Sequence, residues 1–279
     1  MKKFAERNQE REWPAGAVCG WGFAPKILAA IAFLGISMSL FAFGGKDAAK
    51  DKAGNDDVII ASTSWVAAIA YCAGADNVHI LAPVDLRHPP EYELKPSDLS
   101  AASKARLIIY AGWEMFAKKL AETAGSAGVD VLQIRVSNDP AGIKAEAKKI
   151  AELLGTTGKY EAWAADFDQF TAGVKEEVAE AYSGKRAVVN SMQTPFISWL
   201  GVDIAGEYGP AEPSPALVLD LVNLKPDIVI DNYHNASGRP IAEAAKAPYA
   251  ELLNFPGRDG TRTVEDVFRY NARILLNVK

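Results

Sequence analysis

Histidine is the scarcest reactive residue type in this chain: three occur, His79, His88 and His234. Imidazole is the commonest ligand for transition metals and the usual proton carrier near neutral pH, so their positions bound both chemistries. His88 lies in LRHPPEYELKPSD, a proline-rich loop after a β-rich run, and His234 lies in DNYHNASG, just past a strand pattern that reaches Asp231. His79 alternates with Val78 and Ile80 and reads as a core histidine on a strand. Glu114, Glu207 and Asp231 are carboxylates near the ends of strand patterns and could complete a metal site with an imidazole. The sequence has no GxSxG, no HExxH, no CxxC and no complete phosphate loop. No catalytic residue is therefore expected, and the chain reads as a binding protein rather than an enzyme. Gly155-Thr-Thr-Gly-Lys159 follows a helical pattern instead of a strand and reads as a helix end.

The elements that must position these residues alternate short β-rich runs with helical patterns, as βα units on parallel sheets do. Strands are expected at 58–62, 78–83, 106–112 and 130–136, with helices between them. Ile143, Ala147, Ile150, Ala151 and Leu154 share one face of a helix over 140–154, whose Lys144–Lys149 charges read as its solvated face. The longest helical pattern runs from Lys159 to about Tyr182, with Tyr160, Trp163, Phe167, Phe170, Val174 and Val178 recurring every three or four residues. A second βα set follows, with strands at 187–192, 202–206, 227–232 and 251–255. The expected fold class is α/β: two βα lobes with parallel sheets, 58–158 and 184–279, joined by one long rigid helix over 159–183, with a cleft between the lobes at the strands' carboxyl ends.

Ile27 to Phe43 is a run of seventeen uncharged, mainly apolar residues behind a net-positive arm, with small residues near Gly44. Residues 1–44 read as an export signal or an N-terminal anchor, and 45–57 as a flexible tether. An extracytoplasmic place follows from this reading. The formal charge of −5, from 30 Lys and Arg against 35 Asp and Glu, argues against a nucleic-acid partner. Cys72, in AIAYCAGA, reads as a buried and inert thiol.

His88, Pro96-Ser97-Asp98, Leu99, Gly112 and Glu114, in that order and with a strand between the last two groups, resemble the signature of the zinc/manganese-type solute-binding proteins of ABC importers. EPSPALVLDLVNLKPDIVID, 212–231, is similar to that family's second-lobe stretch, and the likeness runs over nearly all of 58–279. It implies capture of zinc or manganese as cargo, no organic cofactor, and delivery to a membrane permease and its ATPase, with membrane contact through the permease or an uncleaved N-terminal segment. The alternative to transport is a surface or adhesion protein built on the same fold. The family's ligand set is only partly present. His88 matches the first ligand. QIRVSNDPAGIKAE lacks the Asp-Pro-His-x-Trp segment, Gln193 falls on the third position, and Asn254 replaces an Asp. Two readings follow from the resemblance. A rebuilt metal site would use His88, His234, Asp231 and Glu114. A cleft for a metal chelate or small organic solute would use Gln193, Asn254 and Glu207. Trp113 and Trp199 fall near that cleft and read as core packing.

Overall fold

In a computed structural model the described residues are 58–278. The signal or anchor expected over 1–44 and the tether over 45–57 lie outside them. Among the described residues no helix is long and apolar enough to cross a membrane.

The N-terminal lobe is a parallel sheet with strand order β2-β1-β3-β4, made of β1 (Ile59–Ala61), β2 (Val78–Ile80), β3 (Leu107–Tyr110) and β4 (Asp130–Gln133). Ile59, Ile60 and Ala61 face Leu107, Ile108 and Ile109 in register. All six are buried, as a strand covered on both faces requires. The crossover helices are α1 (Ser64–Cys72), α2 (Pro96–Ala102), α3 (Ala117–Ser126) and α4 (Pro140–Leu154). Thr63 caps α1 through the Val66 N–H, and Asp139 caps α4 through the Gly142 N–H at 2.8 Å. Gly155, at φ 73°, ends α4 in the left-handed conformation, so the Gly-Thr-Thr-Gly-Lys run is a helix end.

α5 (Thr157–Ala181) is the expected long helix, beginning two residues early; its 25 residues span roughly 37 Å. Beyond it, the second sheet repeats the first in order β6-β5-β7-β8: β5 (Arg186–Asn190), β6 (Asp203–Tyr208), β7 (Ile228–Asn232) and β8 (Tyr249–Leu252). α6 (Thr194–Leu200), α7 (Pro215–Asn223), α8 (Arg239–Ala245) and α9 (Val264–Asn277) accompany it. α9 opens on a reciprocal cap between Thr263 and Asp266 and packs against α5. Phe167 of α5, Phe196 of α6 and Phe268 of α9 are buried together, with Phe268 edge-on to both rings at 5.5 and 5.2 Å. One apolar cluster runs from Trp65 and Ile69 through these aromatics to Val189 and Ile230, so the lobes share a core.

Three expectations change. His79 is exposed, not buried, because β2 is the edge strand and its short ladder turns that side chain outward. The charged face of α4 is not wholly solvated: α4 packs against both α1 and α5, which buries Glu146 beside Lys149 at 2.8 Å and brings Lys144 to Asp168 of α5 at 2.5 Å. Trp113 is half-exposed at 40% and not part of the core. Cys72 is buried as expected, its thiol donating to the Ala68 carbonyl, and burial pushes its pKa up.

Candidate functional site

Parallel strands in both lobes end toward the same seam, and the residues just past those ends define the site. In the N-terminal lobe, the chain leaves β3 through Ala111 and Gly112 and turns back at Glu114. Glu114 is 3% exposed. Its carboxylate accepts from the Ser62 hydroxyl at 2.5 Å, the Ala111 N–H at 3.1 Å and the Gly112 N–H at 2.6 Å. Gly112 has φ 93°, and a Cβ there would stand 2.2 Å from the Gln133 amide nitrogen, so the turn needs glycine. Glu114 thus ties the ends of β1 and β3 together. We expect Glu114→Gln, which turns an acceptor oxygen into a donor facing donors, to cost about 1–3 kcal/mol in urea unfolding.

Asp231, at the end of β7, plays the same part in the second lobe. It is wholly buried and accepts from the backbone N–H groups of Asn232 (2.8 Å), Ser237 (3.0 Å) and Gly238 (2.6 Å), the Asn190 amide (3.0 Å) and the Tyr249 hydroxyl (2.7 Å). Burial and then the Asp231 carboxylate push the Tyr208 and Tyr249 phenols up, keeping both protonated.

His88 and His234 have different surroundings. His88 is half-exposed, and its Nδ1 lies 3.0 Å from the Glu91 carboxylate. His234 sits in the single turn Tyr233–Asn235 after β7, its ring stacked on Phe255 with centroids 3.6 Å apart. The Asn254 N–H points at His234 Nδ1 from 3.5 Å, a long contact that favours the proton on Nε2. Burial lowers the His234 pKa to about 3, and the charges of Arg87, Arg258 and His88 act in the same direction. The ring is therefore neutral at physiological pH. Glu207 is exposed and accepts from the Thr194 hydroxyl at 3.0 Å.

Among the described residues no three His, Cys, Asp or Glu side chains stand together as a metal-holding group. His88, His234, Asp231 and Glu114 are accordingly not gathered around one point. The physical reason is visible in the two acids: turn closure already occupies their oxygens with backbone donors.

The two carboxamides do meet, within the C-terminal lobe, and an amide of the N-terminal lobe joins them across the seam. Gln193 is wholly buried and Asn254 is 3% exposed. Gln193 Nε2 donates to Asn254 Oδ1 at 2.6 Å and to Asn232 Oδ1 at 3.3 Å. Asn138 of the N-terminal lobe, also buried, donates its amide to the same Asn254 Oδ1 at 2.9 Å. Gln193 Oε1 has no hydrogen-bond partner. Beside this network the lobes also touch through Ser64 Oγ donating to the Pro256 carbonyl at 2.8 Å and through the Trp65–Phe255 stack at 5.5 Å. A cavity of about 10 Å³ lined by Trp65, Asn138, Asn254, Pro256 and Phe268 has room for a single water. Gly257, at φ 145°, lets the backbone pass the Val84 carbonyl, which a Cβ would meet at 2.2 Å.

Asn138, Asn232, Arg87 and Arg258 escaped the sequence reading. Asn138 and Asn232 stand at the carboxyl end of a strand or a few residues beyond it, and that position was the available signal.

No family model and no curated protein sequence matches the chain. Solved structures do match. The laminin-binding protein of Streptococcus agalactiae, described as bifunctional with adhesin and metal transporting activity, has 18% identity and a TM-score of 0.63 over 78% of this chain and 98% of its own. FpvC of P. aeruginosa in complex with Ni²⁺ has 15% identity and a TM-score of 0.62 over 78% of this chain and 93% of its own. A manganese-bound mutant of the periplasmic metal-binding protein of Candidatus Liberibacter asiaticus has 16% identity and a TM-score of 0.60 over 79% and 98%. At these identities the likeness is one of fold: the chain is built as these metal-binding and adhesin proteins are built.

Proposed function

We propose that the chain is the extracytoplasmic solute-binding component of an ABC importer, which takes a polar solute between its lobes and passes it to a membrane permease and its ATPase. In this reading the cargo is a metal chelate or a small organic solute rather than a bare zinc or manganese ion. The observation that carries it is the buried carboxamide network of Asn138, Gln193, Asn232 and Asn254, in which two residues stand where the family resemblance expects metal ligands. Amide oxygens are neutral and bind a transition-metal ion less well than imidazole or carboxylate. They do offer both donors and acceptors to a polar solute, and the unpartnered Gln193 Oε1 is an acceptor with capacity to spare. Closure is a modest movement in this reading, because α5 and the shared core run behind the seam.

The test is the melting temperature of the chelator-stripped full chain against Zn²⁺, Mn²⁺ and Ni²⁺. An ion at about 1,000 times its Kd adds roughly 4 kcal/mol to a folded protein. We expect no saturable rise at micromolar ion. A rise of several degrees that disappears in His88→Ala would restore the bare-metal reading and sink this one.

A further inference from the structure

Next to the amides, the seam carries a second group of side chains, and this group is charged. Arg87, in the loop beyond β2, crosses from the N-terminal lobe and donates its Nε to the Tyr233 carbonyl at 2.9 Å. Its guanidinium carbon lies 4.7 Å from the centroid of the Tyr233 ring. Arg258, beyond β8 in the other lobe, places its guanidinium carbon 3.9 Å from the same centroid. The two cations therefore cannot lie further apart than the sum of those distances. His234 stands edge-on to Tyr233 at 5.2 Å, and His88 is the chain neighbour of Arg87.

The acids nearby only partly balance this charge. Arg258 lies 3.6 Å from both Glu251 and Asp259, and Glu251 is shared with Arg239 at 3.7 Å and with the Tyr249 hydroxyl at 3.1 Å. Glu91 is engaged with His88. Among the described residues no carboxylate comes within ion-pair distance of Arg87. The depressed pKa of His234, to which both arginines contribute, reports the same positive field.

The seam thus sets two like charges, one from each lobe, against a single aromatic ring. An incoming bare cation adds to that repulsion, whereas an anion within reach of both guanidinium groups relieves it. Arginine's planar fork fits a carboxylate or phosphate through paired N–H donors, and Arg87 has spent only its Nε. A ligand shifts a conformational equilibrium only by its differential affinity for the two states, and an anion bridging residues of opposite lobes has that differential built in.

We propose that Arg87 and Arg258, set against Tyr233 from opposite lobes, form an oxyanion-recognition site that grips a carboxylate or phosphate of the cargo and favours the closed form. The proposal rests on the solute-binding reading above and narrows its cargo to anionic solutes.

The full chain, in a chloride buffer of fixed ionic strength, is titrated with citrate, ferric citrate and inorganic phosphate while its melting temperature is followed. A saturable rise is expected with at least one of them. Arg87→Gln and Arg258→Gln should each weaken the apparent affinity at least tenfold, whereas Arg239→Gln, which reaches Glu251 and Tyr249 instead, should stay within about twofold. A response to ferric citrate alone supports the proposal with a chelate as cargo; a response to phosphate supports it with a simple oxyanion. No saturable response to any of the three, a response that sodium chloride reproduces, or one unchanged in both arginine variants overturns it. If a neutral polar solute binds while all three anions fail, the solute-binding reading stands and only this inference falls. Saturable binding of a bare ion, lost in His88→Ala, removes the solute-binding reading itself.

Discussion

Replacing Asp231 with alanine is expected to destabilise the protein by about 3–5 kcal/mol, since it strands buried donors that cost roughly 1–3 kcal/mol each when unpaired. The wild-type carboxylate serves three backbone N–H groups, one side-chain amide and one phenol, with no exposure to water. At roughly 2–4 °C per kcal/mol for a protein of this size, the melting temperature should fall by about 10 °C. Asp231→Asn should recover little of this, because its NH₂ would face donors on one side or the other. Urea unfolding of the three proteins checks the expectation. A loss under about 1 kcal/mol in Asp231→Ala, less than one unpaired donor should cost, would mean that the turn after β7 closes without its acid. The carboxylate would then be free for a ligand.

Acid should weaken the fold through His234, with a defined sign. Its folded pKa, about 3, lies below the usual histidine value near 6.5, so the folded state favours the neutral ring. Above about pH 6.5 both states are neutral and nothing is lost. As pH falls below 6.5, the unfolded chain takes up the proton and the folded one does not, so stability drains away until about pH 3, where both are charged. Between pH 7 and pH 4.5 the contribution amounts to about 2–3 kcal/mol. His234→Phe keeps a flat ring against Phe255 and removes the titration. Its stability should therefore fall by about 2–3 kcal/mol less than wild type over that interval, measured by urea unfolding at the two pH values. Equal losses in the two proteins would show that His234 is protonated in the folded state, and that burial and the neighbouring charges hold its pKa down less than the geometry implies.

The fold was legible because its signals are local. Ile59 to Ala61 and Leu107 to Tyr110 form continuous apolar runs, as doubly covered strands must, and the aromatics of α5 repeat at helical spacing. Where the reading failed, the missing information was positional. Val78-His79-Ile80 alternates correctly, but nothing in three residues says that their strand is an edge. Glu114 and Asp231 carry no mark in the sequence that their oxygens are consumed by backbone N–H groups, since those donors come from turns whose geometry exists only after folding. Gln193 and Asn254 were found through family resemblance, not through chemistry of their own. Asn138 was missed because its partner Asn254 lies 116 residues away in the other lobe. The Arg87 contact with Tyr233, 146 residues apart, was hidden for the same reason.

Phe268 belongs by sequence to the second lobe but packs into a core that both lobes share. It rides on the last helix, fits against Phe167 and Phe196, and belongs to the same buried cluster as Trp65 of the first lobe. The two lobes look like tandem cassettes, yet the chain is not modular. A hybrid that borrowed the second half of another protein of this fold would have to import a terminal helix whose aromatic fits this Phe167. Otherwise the first half would be left with an open apolar wall. An exchange that carries the middle helix and the final helix together would keep this aromatic fit.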